Sequence, residues 1–141
     1  MNGFMKKHLL MDFFNEKGLD FPFTMLDDSN ECVYMKYNEE PQHMAISIGL
    51  TDDSYNSIYY VIGVMNNMDK REQLLDLFNS FNAEICPIKF YFDDNDNSII
   101  AMATYIADDL FNGEEFYFYF MKFLIIILEN CYDKIIEVIC E

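Results

Sequence analysis

The chain's 141 residues are 52% hydrophobic and 17% aromatic, enough apolar surface to offset the ordering entropy of one packed domain and too much for a disordered chain. Its 25 acidic against 9 basic residues give a net charge of −16, which repels a phosphate backbone and sets nucleic acid aside as a partner. Cys32, Cys86, Cys131 and Cys140 show no CxxC spacing and the first residues lack the apolar core of a signal peptide, so a reduced, cytoplasmic protein with thiols as core fillers is expected.

Met5, Leu9, Leu10, Phe13 and Phe14 recur at helical spacing and predict a helix from Phe4 to Lys17, with Lys6, Lys7, Asp12 and Glu16 on its outer side and Gly18 as its stop. After a turn at Leu19 to Pro22 the apolar period falls from about 3.6 residues to about 2. Strands are expected at Phe23 to Leu26, Cys32 to Tyr37, Met44 to Leu50 and Ile58 to Met65, with polar turns at Asp27 to Glu31 and Asp52 to Asn56. In the third strand Met44, Ile46, Ile48 and Leu50 alternate with Ala45, Ser47, Gly49 and Thr51, one buried face and one wetter face. The fourth, SIYYVIGVM, is apolar on both faces and suits an interior strand covered on both sides.

Asp69 to Glu72 has capping-box spacing and opens a helix through Asn82, with Leu74, Leu77, Phe78 and Phe81 inside. Pro87 restricts the residue before it to extended geometry, and Ile88 to Phe92 pairs with Ser98 to Ile106 across Asp93 to Asn97. Asn112-Gly113-Glu114-Glu115 then caps a last helix, read as continuous from Gly113 to Glu141. Its first half, FYFYFMKFLIIIL, is apolar nearly all round, yet short of the ~20 residues that cross a bilayer and interrupted by Lys122, so no membrane insertion is expected. No linker or repeat divides the chain. One α+β domain over residues 1–141 follows, with a mainly antiparallel sheet and the order α-β-β-β(-β)-α-β-β-α.

Chemistry-bearing residues are sparse. His8 and His43 fall on different elements beside no nucleophile. A Cys32/His43 pair across neighbouring strands lacks the cationic surroundings that lower a thiol pKa and reads as packing. Among the aspartate turns, Asp93-Asp94-Asn95-Asp96-Asn97 comes closest to a calcium loop. A loop starting at Asp94 places Tyr105 where a bidentate Glu is required, and one starting at Asp93 places Thr104 there, so turn chemistry is the better account. The glycines form neither a GxGxxG nor a P-loop motif. No catalytic residue, metal or cofactor is assigned.

What remains is surface. At about 100° per residue, Glu129, Asn130, Asp133 and Glu137 make one stripe of the last helix. Continued backward it passes Ile126, Lys122, Tyr119 and Glu115. Tyr119, Lys122 and Ile126 are therefore the candidate protein-binding residues. The alternative is ordinary scattered apolar surface or cover from the first helix.

The segment LLDLFNSFNAEICPIKFYFDDNDNSIIAMATYIA, with Phe78-Asn79-Ser80-Phe81-Asn82 closing a helix and Phe90-Tyr91-Phe92-Asp93-Asp94 closing a strand, resembles the YbjN-like family. So does the opening LLMDFFNEKGLDFPF. These bacterial proteins share the fold of type III secretion chaperones. The resemblance implies that fold, dimerisation, and a binding or regulatory role in sensory transduction instead of catalysis. The chaperone-like pattern has three strands where four are counted here, so Phe23 to Leu26 is either a strand or an extended lead-in. The expectation is a cytoplasmic, non-enzymatic, homodimeric interaction module that binds a protein through its sheet or last helix. The alternatives are a small hydrolase using Cys32/His43 or turn carboxylates, and a carrier of an apolar small molecule.

Overall fold

The computed structural model describes residues 1–17, 22–29 and 31–141. Gly18, Leu19 to Phe21 and Asn30 lie outside them, and with them the expected helix stop and most of the first turn. The order is α1 (Gly3–Lys17), β1 (Phe23–Ser29), β2 (Cys32–Glu39), β3 (Gln42–Gly49), β4 (Tyr55–Val64), a 3-10 turn (Met68–Lys70), α2 (Arg71–Glu84), β5 (Ile88–Phe92), β6 (Ser98–Ile106), α3 (Gly113–Asn130) and α4 (Tyr132–Ile139). This is the expected α+β order, with Phe23 to Leu26 a genuine strand.

The six strands form one antiparallel sheet in the order β1-β2-β3-β4-β6-β5. The four helices cover one face of it. Tyr60 of β4 and Phe90 of β5 both pair with Ala101 of β6, so they share a face. On that face Tyr60 stacks on Phe120 of α3 at 5.9 Å, and Phe90 meets Phe81 of α2 at 5.0 Å. α4 joins the same layer, since the Tyr132 hydroxyl donates to the His43 carbonyl and accepts from its amide. The core between the layers holds Val33, Met35, Met44, Ile46, Ile48 and Ile58 from the sheet, and Leu74, Phe78, Phe116 and Ile127 from the helices. Alternation in β3 is as expected, with Met44, Ile46 and Ile48 buried. β4 is interior, but among the described residues no second layer covers its other face. There Tyr59 and Val61 are half-buried among neighbouring side chains.

Several boundaries depart from expectation for physical reasons. β1 continues to Ser29 by way of a register shift between Met25 and Asp28, so strand replaces part of the expected turn. β4 starts at Tyr55 because the Asn56 side chain belongs to the sheet, donating to the carbonyls of Tyr105 (3.0 Å) and Ala107 (2.9 Å). The capping box read at Asp69 does not form: Asn67 caps the 3-10 turn, its side chain accepting from the Asp69 amide at 2.9 Å, and α2 follows from Lys70 without a side-chain cap. The cap at Asn112 is as read, with its side chain accepting from the Glu115 amide.

The continuous last helix is corrected to two. Cys131, at φ −126° and ψ −43°, leaves the helical region between α3 and α4. Just before it the Asn130 side chain donates back to the Ile126 carbonyl, the local competition with helix bonding typical of Asn. The break lets α4 lay Tyr132, Ile135 and Val138 on the core. It also buries Cys131, whose thiol is pushed up to about 11 by loss of hydration. Cys131 alone among the four is buried; Cys32 is half-buried and Cys86 and Cys140 are exposed, so the expectation of four core thiols is corrected.

The inner face of α1 is corrected as well. Gly3, Lys6, Leu10 and Phe14 are buried, whereas Met5 and Leu9 are exposed. Gly113 at the head of α3 sets how closely the helices meet, since a Cβ there would stand 2.8 Å from the Leu9 carbonyl oxygen. Apolar residues are distributed all round α1, so polar anchoring decides which side faces inward.

Candidate functional site

That anchor is Lys6. Its side chain is 0% exposed, and its Nζ donates to the carbonyls of Thr51 (2.8 Å) and Asp53 and to Asn56 Oδ1 (3.2 Å). Three acceptors use all three donors of a lysine head group, and the Asp108 carboxylate stands 3.7 Å away. The surrounding loop is itself locked: hydrogen bonds from the Thr51 hydroxyl and the Tyr55 amide hold the Asp53 carboxyl below the usual carboxylate range. Nearby, the Met1 amine contacts Asp108 (3.0 Å) and Asp109 (2.9 Å), and the Gly3 amide donates to Asp52. With every donor committed, this cage fastens α1 to the β3–β4 loop.

The residues weighed for catalysis are not brought together. Cys32 pairs with Gly49 and His43 with Asn38, which places them at opposite ends of the β2–β3 hairpin. His43 bonds Glu40 at 2.8 Å, and His8 packs edge-on against Phe4. In the β5–β6 turn Asp93 and Asp96 accept the amides of Asn95 and Ser98, and Asn97 takes φ 59°. Among the described residues no group of three or more His, Cys, Asp or Glu is arranged to hold a metal ion, and no helix is long and apolar enough to cross a membrane.

An apolar-walled groove of about 720 Å³ runs between α1 and α3. Tyr117, Phe118, Met121, Ile125 and Ile126 of α3 form its wall, and Phe13 of α1 closes the far side. Phe118 is 59% exposed and Ile125 47%. Lys17, Lys122 and Glu114 rim it. The two lysines lie near aromatic rings, Lys17 at 5.7 Å from Phe13 and Lys122 at 6.0 Å from Phe118. Neither makes a hydrogen bond or ion pair among the described residues. In a chain of net charge −16, this rim carries two uncommitted cations against one carboxylate.

Of the three residues read from the sequence, Lys122 and Ile126 line this groove. Tyr119 is turned away from it, half-buried against Tyr105 (5.7 Å) and Phe123 (6.0 Å). The solvent stripe of α3 runs instead through Glu114, Phe118, Lys122, Ile125 and Glu129. The difference comes from Cys131: extending the stripe backward from Asp133 and Glu137 carries the phase of α4 across a break. Within α3 itself, steps of four, four, three and four residues from the exposed Glu114 pass Phe118, Lys122, Ile125 and Glu129.

The uncovered sheet face is flatter and more mixed. One row across it reads Tyr34, Ser47, Tyr59, Met102 and Lys89, and the next Lys36, Ala45, Val61, Ile100 and Tyr91. No family model matches this chain, and no curated protein matches it either.

Proposed function

We propose that this chain is a non-enzymatic protein-interaction module of the cytoplasm, and that its docking surface is the α1/α3 groove. The observation that carries the proposal is an apolar groove with solvent-exposed Phe118 and Ile125, rimmed by lysines that make no ion pair among the described residues. A buried aromatic anchor flanked by charges is the usual energetic centre of a protein interface. A small apolar ligand suits the groove less well, because such sites enclose most of their ligand, whereas these walls stand in water.

The resemblance to the YbjN-like family favours the same role, as a homodimeric binding or regulatory protein in sensory transduction. The observed order departs from the three-strand pattern of that resemblance by one strand, β1. The fully paired β1 and the division of the last helix are this chain's own features.

The test is comparative capture from the cells that make the protein. The wild-type chain, the groove variant Phe118→Glu and the sheet variant Thr104→Lys serve as baits. Companions lost with Phe118→Glu and kept with Thr104→Lys support the groove. The reverse pattern, or insensitivity to both, overturns it.

A further inference from the structure

Tyr55, Ile106 and Leu110 are the most exposed large apolar side chains among the described residues, at 61%, 69% and 88%. They gather at one end of the sheet. Tyr55 of β4 pairs with Ile106 of β6, and Ile106 and Leu110 wall a pocket of about 410 Å³ beside the loop from β6 to α3. Apolar side chains clustered in water on a folded chain mark a contact surface. This one shares no lining residue with the α1/α3 groove.

Its surroundings are acidic. Asp108, Asp109 and Glu115 line the pocket, and Asp52 and Asp53 belong to the neighbouring β3–β4 loop, where they accept from the Gly3 and Tyr55 amides. Opposite them stand the Lys6 and Met1 ammonium groups, which contact Asp108 and Asp109. Five carboxylates against two cations leave a local charge of −3. Asp109 and Glu115 are both exposed.

We propose that this end of the sheet docks a basic amphipathic segment of another protein, one that carries lysine or arginine beside an apolar stripe. The stem of such a side chain lies along Ile106 and Leu110 while its head group meets Asp109 and Glu115, and an apolar neighbour covers Tyr55. Charge selects the occupant. An acidic segment, a phosphate backbone or an anionic lipid surface meets the same carboxylates within a chain of net charge −16 and is repelled. The groove is the opposite case, with Lys17 and Lys122 against Glu114 at its rim, so a basic segment is directed away from it.

The test is binding of fluorescein-labelled peptides to the full chain, read by anisotropy. One peptide of about fourteen residues sets leucines three and four positions apart among lysines. A second keeps the leucines and replaces each lysine by glutamate, and a third is lysine alone. The leucine–lysine peptide is expected to bind about tenfold more tightly than oligolysine, and to weaken about tenfold or more between about 50 and about 500 mM salt. The leucine–glutamate peptide should not bind. Leu110→Ser with Ile106→Ser is expected to weaken the leucine–lysine peptide about tenfold and to leave oligolysine within about twofold of wild type. Asp109→Asn with Glu115→Gln should weaken it to a similar extent at low salt. All four positions are exposed, so the fold is retained.

Leucine–lysine binding that ignores Leu110→Ser with Ile106→Ser is general attraction to an acidic chain and overturns the site. Binding lost with Phe118→Glu places the peptide in the groove and overturns it too. Equal binding of the leucine–glutamate peptide, or indifference to Asp109→Asn with Glu115→Gln, overturns the charge selection. The groove assignment is judged separately, by companions that respond to Phe118→Glu.

Discussion

Lys6 and Lys17 stand near opposite ends of α1, and the fold uses them in opposite ways. Lys6 is withdrawn from water with two carbonyls of the β3–β4 loop and the Asn56 side chain of β4 as acceptors, whereas Lys17 stands exposed at the groove rim with, among the described residues, the Phe13 ring beside its head group. Both are ordinary lysines on a helix that carries apolar residues all round. What differs is supply: the β3–β4 loop presents carbonyls and the Asn56 amide oxygen at a fixed distance, and the α1/α3 groove presents hydrocarbon. A buried head group is tolerable only when each donor is answered, and once answered it positions the helix. A head group left over an apolar groove does no such work within the chain and is available to something outside it.

The sharpest way to break this contrast is Lys6→Met, which keeps the stem's bulk and takes the ammonium away from three acceptors, two of which keep only a long bond from Thr51 at 3.4 Å. A loss of about 3–5 kcal/mol is expected from urea unfolding. Cys131 gives an independent reading. Buried and with its thiol at about 11, it should resist iodoacetamide at pH 8 while exposed Cys86 and Cys140 react. In Lys6→Met its labelling should accelerate about a hundredfold or more, in step with the lost stability. A loss below about 1 kcal/mol, or unchanged Cys131 protection, would mean that α1 is held by its apolar contacts alone.

Asn56→Ala sharpens the same side of the comparison. It removes one acceptor for Lys6 and the bonds to Tyr105 of β6 and to Ala107 just beyond it, for an expected cost of about 1–3 kcal/mol. Combined with Lys6→Met it should cost less than the sum, since the two side chains share one network. Strict additivity in that double-mutant cycle would separate them. Tyr60→Phe is the neutral reference. The Tyr60 hydroxyl donates to the Phe120 carbonyl at 2.7 Å, but that carbonyl belongs to a helix, so about 1 kcal/mol is expected.

Sequence reasoning reached the fold through period and punctuation, because strand alternation, the polar turns and the Asn112 cap are local signals. The placement of Lys6 was not legible, since its acceptors lie about forty-five positions along the chain in a loop that reads only as a turn. Nor was the true face of α1, whose apolar residues favour no single side. In α3 the apolar stripe was legible and its phase was not. The shift from Tyr119 to Phe118 and from Ile126 to Ile125 follows from a break at Cys131, where neither Gly nor Pro announces one. Lys122 was found because a lone cation in FYFYFMKFLIIIL stands out whatever the phase.

The smallest stability effects should fall on the groove, and they complete the contrast with Lys6. Phe118→Glu and Ile125→Glu each replace a side chain that is about half in water, at helix positions where Glu is intrinsically the better former. Removing exposed apolar surface returns little burial energy, and one further acidic group adds slightly to self-repulsion. Unfolding free energies within about 0.5 kcal/mol of wild type are therefore expected for the monomer, with Cys131 labelling unchanged. A cost above about 2 kcal/mol in either variant would show that the groove wall belongs to the core. The exposed lysines would then be rim charges over a packed helix pair, and the difference between the two ends of α1 would reduce to burial alone.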